Sequence, residues 1–122
     1  MPAIESKIET QSAEFKQNYL AYSEVLQSFR AKLEKVKQGG GKDAIQKHKA
    51  RGKLTARERV DALCDQGTGF LEFSSLAAIE MYEDQAPSAG VITGMGIIKG
   101  VPCVIVANDA TVKGGTYFPI TV

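Results

Sequence analysis

The sequence predicts an α+β chain, helical in its first half and strand-built in its second. Three observations carry this reading. Apolar residues step by four and three from Phe15 to Val36, a glycine triplet at 39–41 ends that pattern, and two β-rich runs flank Lys99-Gly100.

The first element is a long helix. Ile8 precedes a seam of Phe15, Tyr19, Tyr22, Leu26, Phe29, Leu33 and Val36, with Glu, Lys, Gln and Arg on the other faces. That spacing keeps one apolar stripe on a helix. No proline occurs between residues 3 and 38, and Gly39, Gly40 and Gly41 supply a stop. The segment 1–38 is therefore expected to be one amphipathic helix. A lone helix cannot bury its own seam, so it packs on the rest of its protein or in an intersubunit coiled coil.

Two short helices follow within 39–68. Asp43 is placed to cap "AIQKHKAR", and Gly52 suits the left-handed position after its end. "TARE" at 55–58 has the form of a capping box between Thr55 and Glu58. The helix it opens is expected to bury Val60, Leu63 and Cys64 and to stop near Gly67. Seven Lys or Arg residues and His48 lie between Lys42 and Arg59. Acids are mixed in and no aromatics are interleaved for stacking, which disfavours nucleic acid against a solvated basic face or a phosphate-bearing ligand. His48, the chain's one histidine, reads as a surface residue rather than a general base.

The remaining segment, 69–122, has strand chemistry. "FLEFSSL" alternates as a short strand, and Gly90 to Asp109 reads as a hairpin turning at Lys99-Gly100. The unbroken apolar run Val104 to Ala107 is expected to be covered on both faces. Gly94 and Gly96 share one face and leave it bare, for close approach of a backbone or ligand, or for a bulge. The run Gly94 to Gly100 imitates a dinucleotide fingerprint, but its last glycine is one place late and no helix starts there, so that reading is set aside.

Composition narrows the function classes. A net charge of +1 gives no bulk pull toward nucleic acid or a membrane, and 43% hydrophobic residues suit an ordinary folded chain. No apolar run reaches the ~20 residues of a membrane span. Cys64 and Cys103 have no metal or redox spacing, so neither a metal site nor a disulfide framework is expected. The residues with chemistry are in "NDATVKGGTYFP", after the second hairpin strand. Gly114 and Gly115 permit φ > 0 and let N–H groups meet an anion, Lys113 adds a cation and Thr116 a hydroxyl. Lys113, Gly114, Gly115 and Thr116 are the candidate substrate-binding residues; a plain turn with an exposed lysine is the alternative. No catalytic residue is assigned.

The motifs "GKLTARER", the glycine-bearing hairpin and "ANDATVKGG", in that order, resemble the N-terminal end of carboxyltransferase (β) subunits of biotin-dependent acyl-CoA carboxylases. The resemblance is close over residues 39–122, and "NDATVKGGTYFP" is most like the 3-methylcrotonyl-CoA carboxylase type. It implies the start of a ClpP/crotonase-type fold, incomplete here, with the oxyanion-holding glycine turns downstream. It implies carboxyl transfer from carboxybiotin to an acyl-CoA, here 3-methylcrotonyl-CoA in leucine degradation, with this piece inactive alone. No cofactor is expected on this chain; a biotin carboxylase/biotin carrier partner brings the carboxybiotin, and the β subunits form a homo-oligomer. The location implied is the bacterial cytoplasm, or the mitochondrial matrix in a eukaryote. Propionyl-CoA or geranyl-CoA carboxylase, a glutaconyl-CoA-type decarboxylase and a non-catalytic helical interaction module remain alternatives.

Overall fold

Residues 5–122 are described in a computed structural model, which divides the chain into two compact units, Met1–Lys32 and Leu33–Val122. A helix α1, Ala13–Lys37, runs through the boundary. It starts later than the segment 1–38 anticipates, and residues 1–4 of that segment lie outside the described residues. The reason is Ser12, whose Oγ accepts the Phe15 N–H at 3.1 Å and whose carbonyl accepts that of Lys16. This side-chain cap fixes the first turn and leaves residues 5–9 without regular structure.

In the first unit the seam has little cover. Phe15 and Leu26 are half-buried, while Tyr19, Tyr22 and Phe29 are exposed. The rings of Phe15 and Tyr19 stack with centroids 6.4 Å apart. In the second unit the same stripe changes character: Leu33 is half-buried and Val36 is buried.

The second unit holds helices α2, Lys42–Ala50, and α3, Ala56–Leu63. Gly41, not Asp43, occupies the cap of α2, with no side chain closing it; Asp43 falls in the first turn, where its charge favours the helix dipole. Gly52 takes the left-handed backbone at φ 71°, as the sequence indicates. The Thr55–Glu58 capping box forms in full at the start of α3. That helix buries Ala56 and Val60, but it ends at Leu63, half exposed, with Cys64 as an extended cap. Gly67 is thus too late as a stop.

Strands β1, Leu71–Phe73, β2, Val91–Ile98, and β3, Val101–Asn108, form an antiparallel sheet in that order. The hairpin turns at Lys99-Gly100 as predicted, with Lys99 and Gly100 N–H groups both held at 2.7 Å by the Asp65 carboxylate. One sheet face packs under α3, joining Ala56 and Val60 to Ile92, Ile105 and Ala107. The bare stripe is filled from within the chain. A Cβ on Gly94 would overlap the Phe70 ring and the Leu71 carbonyl, and one on Gly96 would sit 2.5 Å from Cys64 Sγ.

The other sheet face corrects one expectation. Val104 and Val106 are each 70% exposed, so β3 is covered on one side only, by contrast with the two-sided burial its apolar run implies. The reason is strand period: Ile105 and Ala107 point to α3 and their neighbours point away from it. A smaller cluster of Ala78, Ala86 and Ala89 gathers Tyr82 and Phe118, whose rings lie 4.9 Å apart.

Candidate functional site

Beyond β3 the chain tightens into a series of turns. The Asp109 N–H bonds the Gly90 carbonyl at 2.9 Å, and Asp109 Oδ1 accepts both the N–H and the hydroxyl of Thr111, at 2.9 and 2.7 Å. This side-chain turn is buried, and it places Val112 at 1% exposure beneath the candidate residues.

Lys113, Gly114 and Gly115 then form one short 3-10 turn with left-handed φ of 46°, 70° and 87°. Two glycines are what such a run requires, since a Cβ is unfavourable there. Gly115 is also crowded, because a Cβ would lie 3.0 Å from Asn108 Nδ2, which itself donates to the Gly115 carbonyl. Asn108 Oδ1 is buried with no hydrogen-bond partner among the described residues. Thr116 closes the turn by donating its hydroxyl to the Lys113 carbonyl at 2.9 Å.

All four predicted residues therefore share one turn, but their groups face differently. The Gly115 N–H is taken by Val112 O at 2.8 Å and that of Thr116 by Lys113 O, so these two donors turn inward. What faces outward is the Lys113 side chain. It borders a cavity of about 280 Å³ that Gly39, Gly40, Asp84, Gln85 and Thr111 also line. Among the described residues no ion pair holds the Lys113 ammonium, whereas Asp84 is bound by Lys35 at 2.7 Å. A cation on an open cavity with polar walls suits an anion such as a phosphate.

The sequence reading missed the far wall. Gly39 and Gly40 act as more than a helix stop: a Cβ on Gly39 would sit 2.6 Å from Asp109 Oδ2, and the Gly40 N–H bonds Thr111 Oγ1 at 3.0 Å. The signal available was the number of glycines, three where a stop needs one.

The basic run is partly consumed in structure. Arg57 makes two hydrogen bonds to Glu72, at 2.6 and 2.9 Å, tying α3 to β1. Lys49 pairs with Glu58 at 2.5 Å, and with the Thr55 contacts this lowers the Glu58 pKa to about 2. His48 Nε2 lies 3.0 Å from the Leu54 carbonyl, a tie between α2 and the next loop. Cys64 and Cys103 are free thiols, and among the described residues no group of three or more His, Cys, Asp or Glu could hold a metal. No helix of the described residues is long and apolar enough to cross a membrane.

Comparison with known proteins adds to this geometry. Residues 47–122 match the carboxyl transferase domain family. The chain is 52% identical over 120 residues to the mitochondrial methylcrotonoyl-CoA carboxylase beta chain of Dictyostelium discoideum, covering 98% of this chain and 20% of that protein. It is 58% identical over 91 residues to the biotin-dependent 3-methylcrotonyl-coenzyme A carboxylase beta1 subunit of Mycobacterium tuberculosis, covering 75% of this chain and 17% of that one. Among solved structures, the P. aeruginosa geranyl-CoA carboxylase beta subunit aligns with a TM-score of 0.83 at 36% identity, over 98% of this chain and 22% of that chain. The chain thus spans about a fifth of the length of these relatives. The alignment with the geranyl-CoA carboxylase subunit reaches across the long helix, so the order of one long helix, short helices and antiparallel strands is a carboxyltransferase architecture.

Proposed function

The chain belongs to the carboxyl transferase domain family, and from that premise we propose that it is the N-terminal part of a biotin-dependent acyl-CoA carboxylase β subunit acting on 3-methylcrotonyl-CoA. The observation that carries the substrate is the identity to two relatives named for methylcrotonyl-CoA, one from a slime mould and one from a bacterium. The acidic carbon of the thioester would give up a proton and take the carboxyl group from the partner's carboxybiotin, whose N–C bond breaks and whose ring nitrogen ends carrying the proton. This chain's share is to shape the CoA side. Lys113 offers its ammonium to a CoA phosphate, and Gly114, Gly115 and Thr116 hold the turn that aims it.

In this reading 1–38 is the amphipathic entry segment, 39–68 the linker with two helices, and 69–122 the start of the acyl-CoA-binding domain. Acyl-CoA, a biotin carboxylase/biotin carrier subunit and further β subunits are the partners. The bacterial cytoplasm is the location, or the mitochondrial matrix in a eukaryotic host, in keeping with the mitochondrial name of the slime-mould relative. A geranyl-CoA substrate is the second reading, favoured by the structural alignment over nearly the whole chain.

The test is ATP-dependent bicarbonate fixation by the full-length subunit with its biotin-carrying partner. We expect kcat/KM for 3-methylcrotonyl-CoA to exceed that for propionyl-CoA by about tenfold, the order that one or two pocket contacts supply. A preference for geranyl-CoA would select the second reading. A preference for propionyl-CoA, or no carboxylation at all, would overturn both.

A further inference from the structure

The exposed part of the α1 seam has a charge pattern that chooses its partner. In heptad terms Tyr19 and Leu26 take the a positions, and Phe15, Tyr22 and Phe29 the d positions. Tyr19 and Tyr22 are 63% and 65% exposed, a costly surface for isolated water contact. The positions that flank such a seam, e and g, are here Lys16, Asn18, Ser23, Val25, Arg30 and Lys32. None is acidic. The carboxylates of this stretch, Glu14 and Glu24, lie at c and f, on the back of the helix.

That segregation bears on who can dock. In a parallel pair, e of one helix faces g of the other; in an antiparallel pair, e faces e and g faces g. An antiparallel copy of α1 would set Lys16 against Arg30, and a parallel copy would set Asn18 against Ser23 and Val25 against Arg30, so neither direction forms an opposite-charge pair. Nothing on the flanks offers a compensating carboxylate. We propose that the Phe15 to Phe29 face receives an amphipathic helix whose own seam is flanked by Glu or Asp, and not a second copy of α1. Lys16 and Arg30, both exposed at e positions, supply the selecting charges. This is independent of the acyl-CoA reading, since it concerns a different surface.

The experiment uses the whole chain and two synthetic helical peptides with one common Leu/Ile seam, one flanked by Glu and one by Lys. Binding is followed by fluorescence anisotropy, and self-association by sedimentation velocity. At low salt the Glu-flanked peptide should bind about tenfold tighter or better, with the advantage shrinking as salt screens the flanks. The Lys16→Glu/Arg30→Glu variant, checked for retained helicity by circular dichroism, should reverse the preference. Should that variant lose its helix, the two-peptide comparison on the unaltered chain decides alone. Equal binding of the two peptides, binding of neither, or self-association as tight as the Glu-flanked complex would each overturn the proposal.

Discussion

Gly40 and Thr111 are 71 residues apart in sequence and in direct contact, with the Gly40 N–H bonded to Thr111 Oγ1 at 3.0 Å. Thr111 donates its own hydroxyl to Asp109 Oδ1, so the glycine tract after α1 is joined to the loop after β3 by a relay of two bonds. A Cβ on Gly40 would overlap the Thr111 carbonyl, which is backbone and cannot swing away. Gly40→Ala should therefore destabilise the chain by about 1–3 kcal/mol, the range for overpacked sites. Gly69→Ala is the control, because nothing lies within 4 Å of its Cβ position. Urea midpoints of the two variants check this: a large drop is expected for the first and almost none for the second.

Gly96 and Cys64 give a coupling prediction. Gly96→Ala alone drives a methyl into Cys64 Sγ, 2.5 Å away, and also presses Ile105 at 3.2 Å. Cys64→Ala alone removes a half-buried sulfur. Together the added methyl occupies part of the space the sulfur leaves. The double variant should be more stable than the two single losses summed, by roughly 0.5–2 kcal/mol, within the range of contacting pairs. Additive losses in a double-mutant cycle would mean that the two sites relax apart.

Glu58 gives a pH prediction whose sign follows from its lowered pKa. The Lys49 ammonium, first, and then the Thr55 N–H and hydroxyl favour the carboxylate over the acid. An ordinary glutamate titrates near ~4.3. A depressed folded-state pKa stabilises the fold above that value, and the stabilisation fades as pH falls toward about 2. Glu58→Gln keeps an oxygen for the Thr55 contacts and removes the charged acceptor that pairs with Lys49. The variant should be less stable at neutral pH, with the gap closing between roughly pH 4.5 and 2. Thermal midpoints of both proteins across that window check it; because the pair is solvent-accessible, raising salt should narrow the gap as well.

Much of this fold was legible because it is local. The capping box needs only Thr55 and Glu58, and the hairpin needs only two β-rich runs and Lys99-Gly100. The start of α1 was misread because Ile8 continues the apolar spacing while Ser12 supplies a better cap. The bare stripe at Gly94 and Gly96 was visible, but its occupants, Phe70 and Cys64, are more than twenty residues away and no periodicity connects them. For the same reason Lys113 to Thr116, adjacent in sequence, stand out together, while the wall of Gly39 and Gly40, some seventy residues earlier, does not. The Val104–Ala107 run misled because apolar residues on the face away from α3 carry the same signal as a core.

The candidate turn can be tested in the full-length subunit proposed above. Lys113 holds its left-handed φ beside two glycines, its ammonium unpaired among the described residues and bordering the cavity. If that ammonium meets a CoA phosphate, Lys113→Met should raise KM for acyl-CoA by roughly tenfold, about 1.4 kcal/mol, with kcat little changed. The increase should be larger at low salt than at moderate salt, because the contact is electrostatic. Gly114 tests the other half. Its Cβ position is open, so Gly114→Val meets no neighbour and suffers only the cost of φ 70° for a β-branched residue. That strain should shift the turn, and KM should rise without the salt dependence that marks Lys113. Two outcomes separate shape from charge. A salt-dependent loss in Lys113→Met alone assigns the site to the cation. A loss in Gly114→Val alone, with Lys113→Met unchanged at low salt, makes Lys113 a surface residue and leaves the glycines as a structural turn.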